Sequence, residues 1–158
     1  MPRLTLNEAA LRGYTHEYTI NTDDLTNTSS GATQDIEIDV PAGTVVQDLG
    51  YKLSTAFSGG SVSAITLAAG ISSGGTEFLT AGSVYTGGTT YVRNTGSKLS
   101  INEGGSDADA TIGHTYSAAG KIYLQFNPTD DSLSALTAGE VTVQVRILVS
   151  QSRSTQMT

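Results

Sequence analysis

Glu140–Gln151 reads EVTVQVRILVSQ, with Val141, Val143, Val145, Ile147 and Val149 on one side of a two-residue repeat and Thr142, Gln144 and Arg146 on the other. A period of two is the pleat of a β-strand, and an apolar face backed by a polar one marks a strand with one side buried. The alternation recurs upstream. In KIYLQFN, Ile122, Leu124 and Phe126 alternate with Lys121, Tyr123 and Gln125. In DIEIDV, Ile36, Ile38 and Val40 alternate with Asp35, Glu37 and Asp39. YTHEYTI (14–20), YKLSTAF (51–57), SAITLA (63–68), TEFLT (76–80), YVR (91–93) and KLSIN (98–102) read as further strands.

Turn chemistry separates these runs. Glycine pairs at 59–60, 74–75, 87–88 and 104–105, together with Pro41-Ala42-Gly43 and Asn127-Pro128, fall where the alternation stops. Eight to ten short strands at this spacing predict an all-β domain, a single antiparallel sandwich. The helical candidates are Leu6–Leu11 and a single turn at Ser132–Leu136. Val46 and Leu49 are out of phase with Tyr51 and Leu53 across Gly50. That slip places either a bulge at Asp48–Gly50 or a loop ending at Leu49. No fixed-period repeat is present, which argues against a propeller or solenoid.

A chain of 158 residues fits one domain. Cysteine is absent, which removes disulfides, thiolate metal sites and a cysteine nucleophile. Acids outnumber bases 15 to 8, for a net charge of −7, and no Lys/Arg run exists. Nucleic-acid binders use basic surfaces to displace counterions, so that class is disfavoured as the main activity. No stretch approaches the roughly 20 apolar residues of a membrane helix, and no membrane partner is expected. MPRLTLNEAALRGYTHEYT lacks a continuous apolar core, so the sequence predicts a chain made in the cytosol rather than exported.

The ends differ from the body. Residues 1–13 carry Arg3 and Arg12 against Glu8, with Leu4, Leu6 and Leu11; residues 150–158 carry Arg153 alone. This divides the chain into an N-terminal arm (1–13), a sandwich (14–150) and a flexible C-terminal tail (151–158). Arg3, Leu4, Leu6, Leu11, Arg12 and Tyr14 are the candidate contact residues, because an apolar and basic arm can pair with a neighbour's sheet edge. The same residues could instead form the first strand of their own domain or a frayed end.

Chemistry-bearing constellations are sparse. His16 falls on the polar side of its run and His114 in a Gly-rich connection, and no G-x-S-x-G elbow accompanies the many serines. Asp23-Asp24, Asp107-x-Asp109 and Asp130-Asp131 lie in expected loops. Asp107 and Asp109 are the best-placed pair for a cation, which would need further oxygens brought in by the fold; solvated turn acids are the alternative. No phosphate-binding glycine motif precedes a helix. Tyr85, Tyr91, Tyr116 and Tyr123 are expected as half-buried strand residues with hydroxyls in water, or as a thin sugar-stacking surface. The sequence predicts no enzyme, no metal and no obligate cofactor.

The run DIEIDVPAGTVVQDLGYKLSTAFSGGSVSAITLAAGISSGGTEFLTAG resembles tailed-phage virion β-domains. The resemblance is carried by Thr55, Ala56, Phe57, Gly59, Gly60 and Ser61, then by Gly70, Gly74, Gly75, Thr76, Glu77, Phe78 and Leu79. KIYLQFNPTDDSLSALTAGEVTVQVRILV is similar to the closing hairpin of the same family, and together the two runs cover about two thirds of the chain. The family is that of small head decoration, or cement, proteins. It implies a jelly-roll sandwich, a homotrimer on the capsid lattice, the major capsid protein as partner, and location on the virion. Related domains in fibres and tails keep a receptor- or carbohydrate-binding role open as the alternative.

Overall fold

The computed structural model describes residues 14–88, 90–99 and 113–149, and places nine strands in two antiparallel sheets packed face to face. The strands are β1 (His16–Asn21), β2 (Gln34–Val40), β3 (Thr44–Ser58), β4 (Ala64–Gly70), β5 (Leu79–Ser83), β6 (Tyr91–Arg93), β7 (His114–Tyr116), β8 (Gly120–Thr129) and β9 (Ala138–Val149). The first sheet has the order β1-β9-β3-β6, with β7 on the β6 side of β3; the second has the order β2-β8-β4-β5. The chain therefore changes sheet at most of its connections. The expected all-β sandwich is what the residues form.

The inward faces are those the alternation assigns. Val141, Val143 and Val145 of β9 meet Leu49, Tyr51 and Leu53 of β3 on one side. Ile65, Leu67 and Ala69 of β4 and Ile122, Leu124 and Phe126 of β8 supply the other, all fully buried or nearly so. Phe57 of the first sheet and Phe126 of the second meet edge-on with centroids 5.7 Å apart, which ties the layers together at the core.

β3 is longer than its neighbour because it is bulged. Val46 pairs with Ile147, but the next pair is Asp48 with Arg146, so Gln47 has no opposite number. Further shifts follow between Leu53 and Thr55 and between Thr55 and Ser58. An extra residue flips the inward–outward parity beyond it. The first bulge lies just ahead of the expected Asp48–Gly50 slip and turns Asp48 and Gly50 to the outside, while Leu49 and Tyr51 enter the core.

Four local readings are corrected. Asn127-Pro128 is not a turn: β8 runs through Pro128, which pairs with Ile65 of β4. Its missing N–H costs little there, because pairing of β8 with β2 already ends at Phe126. TEFLT begins its strand only at Leu79, since Glu77 folds back to accept the Ile71 N–H at 3.1 Å and closes the preceding turn. Lys98-Leu99 lies in a turn, and the rest of KLSIN lies outside the described residues. His114 belongs to a strand rather than a connection.

The Ser132–Leu136 turn is present as a 3-10 turn at Leu133–Ala135. A second such turn, Thr22–Asp24, gives Asp23-Asp24 a local role: Asn21 Oδ1 accepts the Asp23 N–H, and the Asp24 carboxylate accepts the Asn21 N–H. The Leu6–Leu11 helical candidate lies outside the described residues.

Candidate functional site

The outer face of the first sheet carries a polar clasp built on the bulge. Asp48, turned outward by the insertion at Gln47, is only 4% exposed. Arg93 of β6 grips it with both ends of the guanidinium, Nε to Oδ1 at 3.1 Å and Nη2 to Oδ2. This two-point contact holds a carboxylate that would otherwise be costly to bury. The carboxylate hydrogen bond in turn raises the Arg93 pKa above its already high ordinary value. Asn94, with a φ of +48°, locks the end of β6 by accepting the Leu49 N–H on its side chain and donating its own N–H to Leu49 O.

Tyr14 lies over this clasp. Its hydroxyl meets that of Tyr91 at 3.0 Å, and the Arg93 guanidinium sits 5.4 Å from its ring centroid. Since β9 separates β1 from β3, the ring reaches across one strand to stand over Gly50. Only glycine leaves room: a Cβ at Gly50 would be 2.7 Å from Val92 O and 3.1 Å from the Tyr14 hydroxyl. Burial, then the Tyr91 hydrogen bond, then the Asp48 charge raise the Tyr14 phenol well above the ordinary tyrosine pKa. Thr15 fastens the adjoining backbone, donating its N–H to Val145 O and accepting the Ile147 N–H on Oγ1.

Tyr14 is thus largely enclosed by its own chain, at 7% exposed. As a contact residue it has little surface left to offer; it anchors the start of the sandwich instead. Arg3, Leu4, Leu6, Leu11 and Arg12 lie outside the described residues, as do Asp107 and Asp109. Gln144, expected in solvent, is 5% exposed and donates to Glu17 Oε1 at 2.6 Å.

A second feature is an apolar cleft of about 210 Å³ between the edges of the two sheets. Tyr18 of β1 and Val145 and Ile147 of β9 form one wall; Ile38 and Val40 of β2 and Ile122 of β8 form the other. His16, Asp39 and Pro41 complete the lining. His16 shares the inward face with Tyr18 and Ile20, not the polar face expected from its run, and stays exposed because the sheets part there. Its Nδ1 is paired with Thr15 Oγ1 at 2.9 Å.

His114 stands edge-on to Tyr116 at 4.7 Å and to Phe78 at 5.9 Å. Burial, helped by the nearby Lys98 charge, lowers its pKa. No group of three or more His, Cys, Asp or Glu side chains is gathered in metal-binding geometry among the described residues. Three of the tyrosine hydroxyls expected in water have protein partners: Tyr85 donates to Val62 O and Tyr116 to Lys121 O, each at 2.8 Å, and Tyr91 meets Tyr14. Asp131 accepts from the Ser61 and Ser132 N–H groups, which lower its pKa and pin the Gly59-Gly60 turn to the loop after β8. No protein-family model, curated protein or solved structure matches this chain.

Proposed function

We propose that the protein is a non-enzymatic virion component that decorates a phage capsid and stabilises it by bridging major capsid protein subunits, as a homo-oligomer, most simply a trimer. The observation that carries this reading is the strand order. Two sheets ordered β1-β9-β3-β6 and β2-β8-β4-β5, with the chain crossing between them at most connections, support a jelly-roll reading of the sandwich. That is the architecture expected from the resemblance of the 35–82 and 121–149 runs to head decoration proteins. The Tyr14 clasp supports it further, because it gives residues 1–13 a fixed departure point on a rigid sheet. One weak contact per subunit becomes strong when three engage together.

The test is to mix the purified full chain with capsids assembled from the major capsid protein of the phage whose genome encodes it. Co-sedimentation at a stoichiometric plateau and a raised capsid melting temperature are expected. Failure to co-sediment, with capsid melting unchanged, refutes the reading. A fibre-type carbohydrate-binding role has one observation in its favour: Tyr91, 41% exposed, borders a groove of about 410 Å³ with Lys52, Leu53 and Thr90. Glycan binding abolished by Tyr91→Ala, without capsid binding, would favour that role.

A further inference from the structure

The cleft between the sheets opens at the β1 and β2 edges, and its two walls end in strands that pair on one side only among the described residues. An open strand edge beside an apolar slot is the arrangement that receives an extended peptide: main-chain groups supply the ladder and alternate side chains fill the slot. The volume, about 210 Å³, suits one or two branched aliphatic side chains. The rim is acidic. Asp39 is 89% exposed and Glu37 lies two residues away on the same strand, with Lys121 bonded to Glu37 and 3.9 Å from Asp39.

One segment of this chain has the matching chemistry. In residues 1–13 Leu4 and Leu6 are two apart in the sequence, a spacing that an extended docked segment would present on one side, with Arg3 beside them and Arg12 further along. We propose that the cleft receives residues 1–13 of a second copy, with Leu4 and Leu6 entering between Tyr18, Ile38, Val145 and Ile147 and Arg3 meeting Asp39. The segment of the same copy is the competing occupant, because its root at Tyr14 is two residues from His16 in the cleft lining. A second copy is favoured by the self-association of the preceding reading, and a chain carrying both cysteines separates the two. The inference rests on the self-association part of the preceding reading and does not require a capsid.

Because the chain has no cysteine, disulfide trapping reports the contact directly. Leu6→Cys and Ile147→Cys are made as separate full-length variants, mixed and mildly oxidised. A disulfide needs Cα atoms within about 7 Å, so only a seated segment can form one. The mixture is expected to give several-fold more of a covalent dimer, twice the 16.3 kDa chain, than either variant alone. Leu4→Asp/Leu6→Asp should shift the sedimenting species to monomer while leaving the circular dichroism spectrum and melting temperature unchanged. The proposal is overturned if the mixture gives no excess dimer, or if a chain carrying both cysteines closes only on itself. Excess dimer in a protein that ignores capsids would sink the decoration reading and leave this site standing. Capsid binding without excess dimer would do the reverse.

Discussion

Replacing Gly50 with alanine would put a methyl group into space that the clasp already fills. The new Cβ would stand 2.7 Å from Val92 O, 3.1 Å from the Tyr14 hydroxyl and 3.3 Å from Arg93 Cα. Carbon–oxygen contacts settle at about 3.3–3.6 Å, so β6 must retreat by about half an ångström or more. Val92 O is main chain and cannot rotate aside, and β6 carries both Tyr91 and Arg93 with it. Overpacking of this kind costs about 1–3 kcal/mol, offset by about 0.5 kcal/mol from the stiffer unfolded chain. For a domain of this size each kcal/mol is worth about 2–4 °C, so the melting temperature should fall by roughly 1–10 °C. Urea titration of the full chain should show a lower midpoint with an unchanged slope. Gly31→Ala is the control: nothing lies within 4 Å of its Cβ, and only its φ of +68° opposes the change. If Gly50→Ala melts within about 1 °C of the parent, the Tyr14–Gly50 packing described above is wrong.

The clasp should also show in pH dependence and in charge removal. Burial raises the phenol pKa of Tyr14, Tyr51 and Tyr116, the last to about 12. The unfolded chain ionises these groups near pH 10 while the folded chain keeps them protonated. Stability is therefore whole below about pH 10 and falls above it, by about 1.4 kcal/mol per pH unit for each tyrosine held protonated. A urea midpoint that stays flat from about pH 9 to pH 11 would contradict this. Arg93→Ala should cost about 2 kcal/mol, below the ~3–5 of a fully buried pair because the Arg93 side chain is 45% exposed. Asp48→Asn in the same chain should recover part of that loss, since the stranded charge is then gone. Equal losses from Arg93→Ala with and without Asp48→Asn would show that the pair is not coupled.

The strands were legible wherever one face was buried and the other wet. EVTVQVRILV, KIYLQFN and DIEIDV alternate cleanly because each lies in a sheet with one apolar side. Reading failed where a side chain served the backbone instead of a face. Glu77 closes a turn, and Pro128 sits where its missing N–H has no partner to lose. The clasp was half visible: the phase slip near Gly50 was in the sequence, but its consequence, an outward Asp48, required knowing which strand lay opposite. Nothing in YVR marks Arg93 as its partner, because their meeting depends on two strands that are neighbours in the sheet but far apart in the sequence. Tyr14 looked like the end of an arm for a similar reason. Its aromatic ring is buried by a strand from the middle of the chain, and no local pattern records that.

The bulge at Gln47 joins the fold to the proposed function. Were β3 regular, the parity that puts Val46 inside would put Asp48 and Gly50 inside too. A carboxylate would then face the core, and Leu49 and Tyr51 would face water. One unpaired residue reverses both outcomes. It gives the second half of β3 its apolar inner face, and it gives the outer face an acid for Arg93 and a bare backbone for the Tyr14 ring. Tyr14 is therefore held by the same device that keeps the core dry. Under the proposed docking, a root fixed in this way leaves less conformational freedom to be lost when an N-terminal segment seats on a second copy than a frayed root would leave.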